Sequence, residues 1–147
     1  MRWLVEKSVA ALCVVAVAGC GGAGGPEFVP VSGRLTIDGE PVARVTVEFR
    51  PIPGDQTGVN TGGSSRGYTD ADGRFTLTSA IAGRGEGVAV GRHRVRLRGR
   101  ESIDSEGLEE MPEDERPPVI TDAMVQDVII EVPPGGTDAA DISITTS

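Results

Sequence analysis

Histidine, tryptophan, cysteine and lysine are nearly absent from this 147-residue chain. It has one histidine, His93, one tryptophan, Trp3, and two cysteines, Cys13 and Cys20, while Lys7 is its only lysine. Aromatic residues make up 3%. Each shortage closes a class of function. Zinc centres draw on several histidine or cysteine ligands, so one histidine among scattered carboxylates is poor material, and no metal or other cofactor is expected. At strand spacing with Val95 and Leu97, His93 is expected to pack at the edge of a core. Sugar-binding sandwiches present aromatic platforms, but beyond Trp3 only Phe28, Phe49, Tyr68 and Phe75 are available, and the alternation of the sequence buries two of them. Amphipathic helices of useful length are missing too.

The first twenty residues, MRWLVEKSVAALCVVAVAGC, stand apart. Arg2 and Lys7 give a positive start, and residues 9–18 form an apolar run. A bilayer span needs about 20 apolar residues, so the run has the length of a signal-peptide core instead. It ends in Val17-Ala18-Gly19-Cys20, which resembles the bacterial lipobox. That resemblance implies a diacylglycerol on the Cys20 thiol, cleavage before it and acylation of the new amino end. Ordinary secretion is the alternative, because Ala16-Val17-Ala18 also fits a small-x-small cleavage site. Cys13 would leave with the signal. The single remaining thiol cannot form an internal disulfide, and lipidation accounts for it. GGAGGP, residues 21–26, reads as a flexible tether. The expected boundaries are a signal at 1–19, the lipidated cysteine and tether at 20–27, and one domain at 28–147. Gly21 in place of an aspartate after the cysteine favours the outer over the inner membrane. Without the signal the chain carries 12 arginines, no lysine and 21 acidic residues. That balance and an exported location argue against nucleic acid as a partner.

The rest reads as short alternating runs broken by Gly, Pro and Asp, the pattern of an all-β domain. Val29, Val31, Gly33, Leu35 and Ile37 share one parity, as do Val45, Val47 and Phe49, and then His93, Val95 and Leu97. Residues 51–65 and 99–118 read as loops, the second acidic and mobile. Residues 125–132 and 139–145 close the chain, with PPGGTD as the turn between them. Val128-Ile129-Ile130, three apolar residues in a row, suggests a strand covered on both sides. About seven strands result, a number that suits a single Greek-key β-sandwich.

TDADGRFTL, residues 69–77, admits a calcium loop or a turn. An EF-hand-type loop has glycine at position 6 and glutamate at 12. Counted from Asp70, glycine falls at position 4, and positions 6 and 12 are Phe75 and Ile81. The geometry is that of a turn, which uses Asp and Gly for their conformational range.

VSGRLTIDGEPVARVTVEF (31–49), GYTDADGRFTL (67–77) and GVAVGRHRVRL (87–97) resemble carboxypeptidase regulatory-like domains, transthyretin-type β-sandwiches found in bacterial lipoproteins. The resemblance implies that fold and is nearly silent on chemistry, since fold does not fix function. Transthyretin-like hydrolases use several histidines and a characteristic C-terminal tetrapeptide, whereas this chain has His93 and ends ISITTS. Pilin-type sandwiches crosslink a lysine to an asparagine; the exported chain has Asn60 and no lysine. Gly63-Ser64-Ser65-Arg66-Gly67 matches the nucleophile-elbow pattern but has no helical pattern after it, which that motif requires. No enzymatic activity is expected.

The unusual feature is GRHRVRLRGR, residues 91–100. Strand alternation puts Arg92, Arg94, Arg96, Arg98 and Arg100 on one face, about 6.8 Å apart along the strand. Guanidinium pairs well with phosphate and carboxylate, so the row can hold an anionic envelope polymer or lipid headgroup. Alternatively the row is neutralised internally, by the eight carboxylates of residues 101–115 or by Glu48, Asp127 or Glu131 on neighbouring strands. Exposed like charges in a row repel, which favours neutralisation. The sequence therefore reads as a lipid-anchored, non-catalytic β-sandwich of the cell envelope, a structural or protein-interaction module, with an anion-binding module as the competing reading.

Overall fold

The computed structural model describes residues 26–53, 63–81, 87–121, 124 and 128–146. Residues 1–25, which hold the expected signal, Cys20 and most of the expected tether, lie outside the described residues, as do Asn60 and Asp127. What is described is an all-β sandwich with two main open sheets and a separate two-stranded ribbon. The elements in order are β1 (Phe28–Val29), β2 (Ser32–Ile37), β3 (Glu40–Pro41), β4 (Thr46–Pro51), β5 (Ser65–Tyr68), β6 (Arg74–Thr76), β7 (Thr78–Ser79), β8 (Val88–Ala89), β9 (Gly91–Arg98), a short helix α1 (Ser105–Glu110), β10 (Ile129–Val132) and β11 (Ile142–Ile144). The expected seven runs are thus cut into shorter strands.

One sheet has the order β10-β9-β4-β5-β7, with every neighbour antiparallel. The other is built on β2. β11 runs parallel to it on one side, and β3 and β6 pair with successive stretches of the other. β1 and β8 form a separate two-stranded ribbon. The inward residues of both sheets make one core around Leu35, Val47, Phe49, Phe75, Leu77, Val95 and Ile142. Alternation decides which residues these are, because successive side chains point to opposite faces of a strand. Phe49 and Phe75 sit 6.5 Å apart, centroid to centroid, in that core.

Two turns follow from local chemistry. Asp38 and Gly39 both take positive φ, 51° and 83°, and join β2 to β3 as a two-residue hairpin loop, the conformation that Asp-Gly favours. At residues 70–74 the Asp70 carboxylate accepts from the amides of Asp72 and Arg74 at 2.9 and 3.0 Å. Gly73 adopts φ 73° there. The turn reading of this segment stands, with Asp70 bound to backbone N–H groups. The strand leaving the turn first pairs with β2, as β6, and then with β5, as β7. It ties the two sheets together.

Three expectations need correction. Val128-Ile129-Ile130 is not covered on both sides: β10 is the edge of its sheet and Ile129 is 43% exposed. Its apolar run reflects one inward face plus an apolar residue on the open one. PPGGTD does not close a hairpin, because β10 and β11 belong to different sheets and the segment carries the chain between them. Residues 99–118 are not featureless, since they hold α1 and two 3₁₀ turns, Arg100–Ser102 and Glu113–Glu115. The Asp104 carboxylate caps α1 by accepting from Gly107 N at 2.8 Å. The Glu101 carboxylate accepts from Gly99 N and Ile120 N at 2.8 and 2.9 Å.

Candidate functional site: the arginine face

β9 places Arg92, Arg94, Arg96 and Arg98 on the outer, exposed face of the five-stranded sheet, with His93, Val95 and Leu97 buried on the other. Arg100 leaves the row. The strand ends at Arg98, and Arg100 begins a 3₁₀ turn where its Nε donates to Pro117 O at 3.0 Å. It holds the loop and is absent from the face.

The register adds arginines that the sequence pattern on β9 did not reveal. Arg50 on β4 lies directly opposite Arg94, and Glu48 lies between Arg96 and Arg66 of β5. The face is therefore a grid. One row runs Tyr68–Thr46–Arg98, the next Arg66–Glu48–Arg96, the next Arg50–Arg94–Ile129, and the last pairs Arg92 with Glu131. Strand pairing across a long sequence gap put Arg50 and Arg66 there, and their spacing along the chain carries no sign of it.

Glu48 is the hub. Only 1% of its side chain is exposed, and its carboxylate meets Arg50 at 3.0 Å, Arg66 at 3.2 Å and Arg98 at 3.8 Å. Burial pushes its pKa up, but hydrogen bonds from Arg50 and Arg66, with their positive charges, outweigh it and hold the carboxyl below its ordinary value. Glu48 stays ionised and clamps three guanidiniums in place. Asp127 lies outside the described residues, and two of the expected neutralising groups, Glu48 and Glu131, are on the face. The acidic segment is not: among the described residues, none of its carboxylates forms an ion pair with the row. Glu101 and Asp104 are instead bound to backbone amides of their own loop. Among the described residues, six arginines share the face with two carboxylates, Glu48 and Glu131. Like charges directly opposed across a strand pair are destabilising, and Arg50 against Arg94 is such a pair.

His93 lies on the other side of β9, 1% exposed, its ring 5.8 Å from that of Phe49. Its Nε2 donates to Ala89 O at 2.7 Å, which leaves Nδ1 as a buried acceptor without a partner among the described residues. Burial lowers its pKa, with the Ala89 bond opposing, so the ring is held neutral. It borders a cavity of about 280 Å³ lined by Pro26, Pro51, Ile52, Val90, Val132 and Pro134, among others. Ser65 of the elbow-like motif begins β5 and donates its hydroxyl to Gly87 O at 3.0 Å. A strand follows it where a nucleophile elbow needs a helix.

Compared with protein-family models, curated proteins and solved structures, the chain finds no match.

Proposed function

We propose that this chain is a lipid-anchored module of the cell envelope that works by binding and not by catalysis, with the arginine face as its binding surface. The observation that carries the reading is the gathering of Arg50, Arg66, Arg92, Arg94, Arg96 and Arg98 around the one buried carboxylate of Glu48, on a face that the acidic segment leaves uncovered. Like charges gathered in this way repel one another, and an anionic partner turns that repulsion into attraction. The anchor is Cys20, at the end of a signal-type apolar run and followed by a short glycine tether. The carboxypeptidase regulatory-like resemblance is consistent with such a module, and the outer membrane is the favoured address.

Two measurements test it. Cys20→Ala in the full chain should block cleavage of the signal and labelling by radioactive fatty acid; a variant that is still cleaved and labelled ends the lipoprotein reading. Soluble polyphosphate should bind the full chain at low salt, and Arg94→Gln with Arg96→Gln should lose most of that binding. Equal binding by the variant would move the site off this face.

A further inference from the structure

The arginine face has three properties that bear on what it meets. It is the outer surface of a sheet; the cavity of about 280 Å³, lined around Pro26 and Pro134, reaches it only at its end, at Arg92 and Glu131, and the cavity of about 320 Å³ lies around Pro30 and Thr137. Its charge is central and its exposed apolar groups are marginal: Ile129, 43% exposed, lies beside Arg94 on the edge strand, and Tyr68, 59% exposed, lies in the corner beyond Thr46. Protein–protein interfaces have the reverse plan, with charge depleted from the core and kept at the rim. Finally, the described chain enters at Pro26 and Glu27, next to the Arg92 end of β9, where Val90 N donates to Glu27 O at 2.9 Å.

A linear polymer is held best along a groove. A planar layer of phosphates suits a flat grid of guanidiniums, with tyrosine and isoleucine at the edges where headgroups give way to acyl chains. The six residues from Cys20 to Gly25 span at most roughly 20 Å when extended. A lipid on Cys20 therefore keeps the face within reach of the bilayer that holds it. The outer face of the other sheet carries a single opposed arginine pair, Arg34 and Arg74, and there the Arg34 Nε donates to Asp72 O at 2.8 Å and its amide to the Asp141 carboxylate at 2.9 Å.

We infer that the arginine face docks flat on the anionic headgroup layer of the membrane, with lipid phosphates meeting Arg50, Arg94, Arg96 and Arg98 and with Ile129 and Tyr68 at the margins. The inference rests on the binding-module reading above, takes its proximity from the anchor and takes its contact from the face alone. Because the whole chain is acidic, the negative charge that lies outside this face favours the docked orientation.

The test is arginine footprinting of the full chain, isolated from cells, with phenylglyoxal. It is mixed with vesicles of phosphatidylcholine alone or with about a third phosphatidylglycerol, and modification of each arginine is followed by mass spectrometry. Arg94 and Arg96 should react roughly fivefold more slowly on the anionic vesicles, the factor expected for one basic side chain at a charged surface. Arg34 and Arg74 serve as internal controls and should not change. Protection should vanish at about 1 M salt, where screening acts within about 3 Å. In Arg94→Gln with Arg96→Gln, Arg98 should lose most of its own protection. Flotation of the same samples separates anchor from contact. Flotation with both vesicle types but no protection overturns the docking and leaves the anchor. Flotation and protection with anionic vesicles alone removes the anchor and supports the docking. No flotation with either overturns both. Protection by soluble polyphosphate with none on vesicles reassigns the face to a polymer.

Discussion

Gly73 and His93 are the positions where single atoms decide most. At Gly73 a Cβ would sit 2.5 Å from Leu35 O and 3.1 Å from Val42 N, on a residue already at φ 73°. Both backbone strain and contact oppose any side chain there, so Gly73→Val should lower stability by about 2 kcal/mol or more in urea unfolding. Added calcium should leave the wild-type midpoint in place. His93 gives a pH signature. Its folded pKa lies below the unfolded value of about 6.5. Above that pH both states are neutral and the residue has no effect. As pH falls through it, the unfolded chain takes up a proton that the buried ring resists, and stability drops. Wild-type protein should therefore lose stability as pH falls below about 6.5 by an amount that His93→Gln does not show. Equal slopes in the two proteins would mean that the ring titrates normally.

At the scale of elements, the acidic segment is a folded cap beyond the end of β9, fastened by Glu101. Its carboxylate joins Gly99 N to Ile120 N, and Ile120 is buried in the core. Burial acts to raise the Glu101 pKa, and the hydrogen bonds from backbone amides bring the net shift below the ordinary value. Its contribution is thus present above about pH 4.3 and lost on acidification. Glu101→Ala leaves two amides without their acceptor and should cost about 1–2 kcal/mol. It should also speed proteolysis within residues 103–116, while cleavage in β4 and β9 stays slow. If the segment stays as protected in the variant, the staple is not what holds it.

For the molecule as a whole, charge is divided by side. An acidic chain carries six arginines on one sheet face, and Glu48 offsets only part of them. Arg94→Gln should therefore raise stability by about 0.2–1 kcal/mol at low salt, because it removes the repulsion with Arg50. The difference should shrink toward zero at about 1 M salt. Neutralisation by the acidic segment predicts the opposite sign, a loss on mutation, so the direction of the change separates the two readings by denaturation alone.

Local pattern was enough to read the all-β class, the buried parities of β2, β4 and β9, the Asp70–Gly73 turn and the outward arginines of β9. Each of these depends on residues within a few positions of one another, where alternation and turn chemistry act. The fate of Arg100 turned on where β9 ends. That is fixed by the Pro117 and Pro118 carbonyls, which accept from the Arg100 side chain and backbone. Ile129 reads as core from its neighbours and proved to be on an edge, because exposure depends on how many strands a sheet has. The arginine face itself belongs to the tertiary structure. Arg50 and Arg66 reached it, and Glu48 became its buried hub, only because β4 pairs with both β5 and β9 across gaps that sequence spacing does not encode.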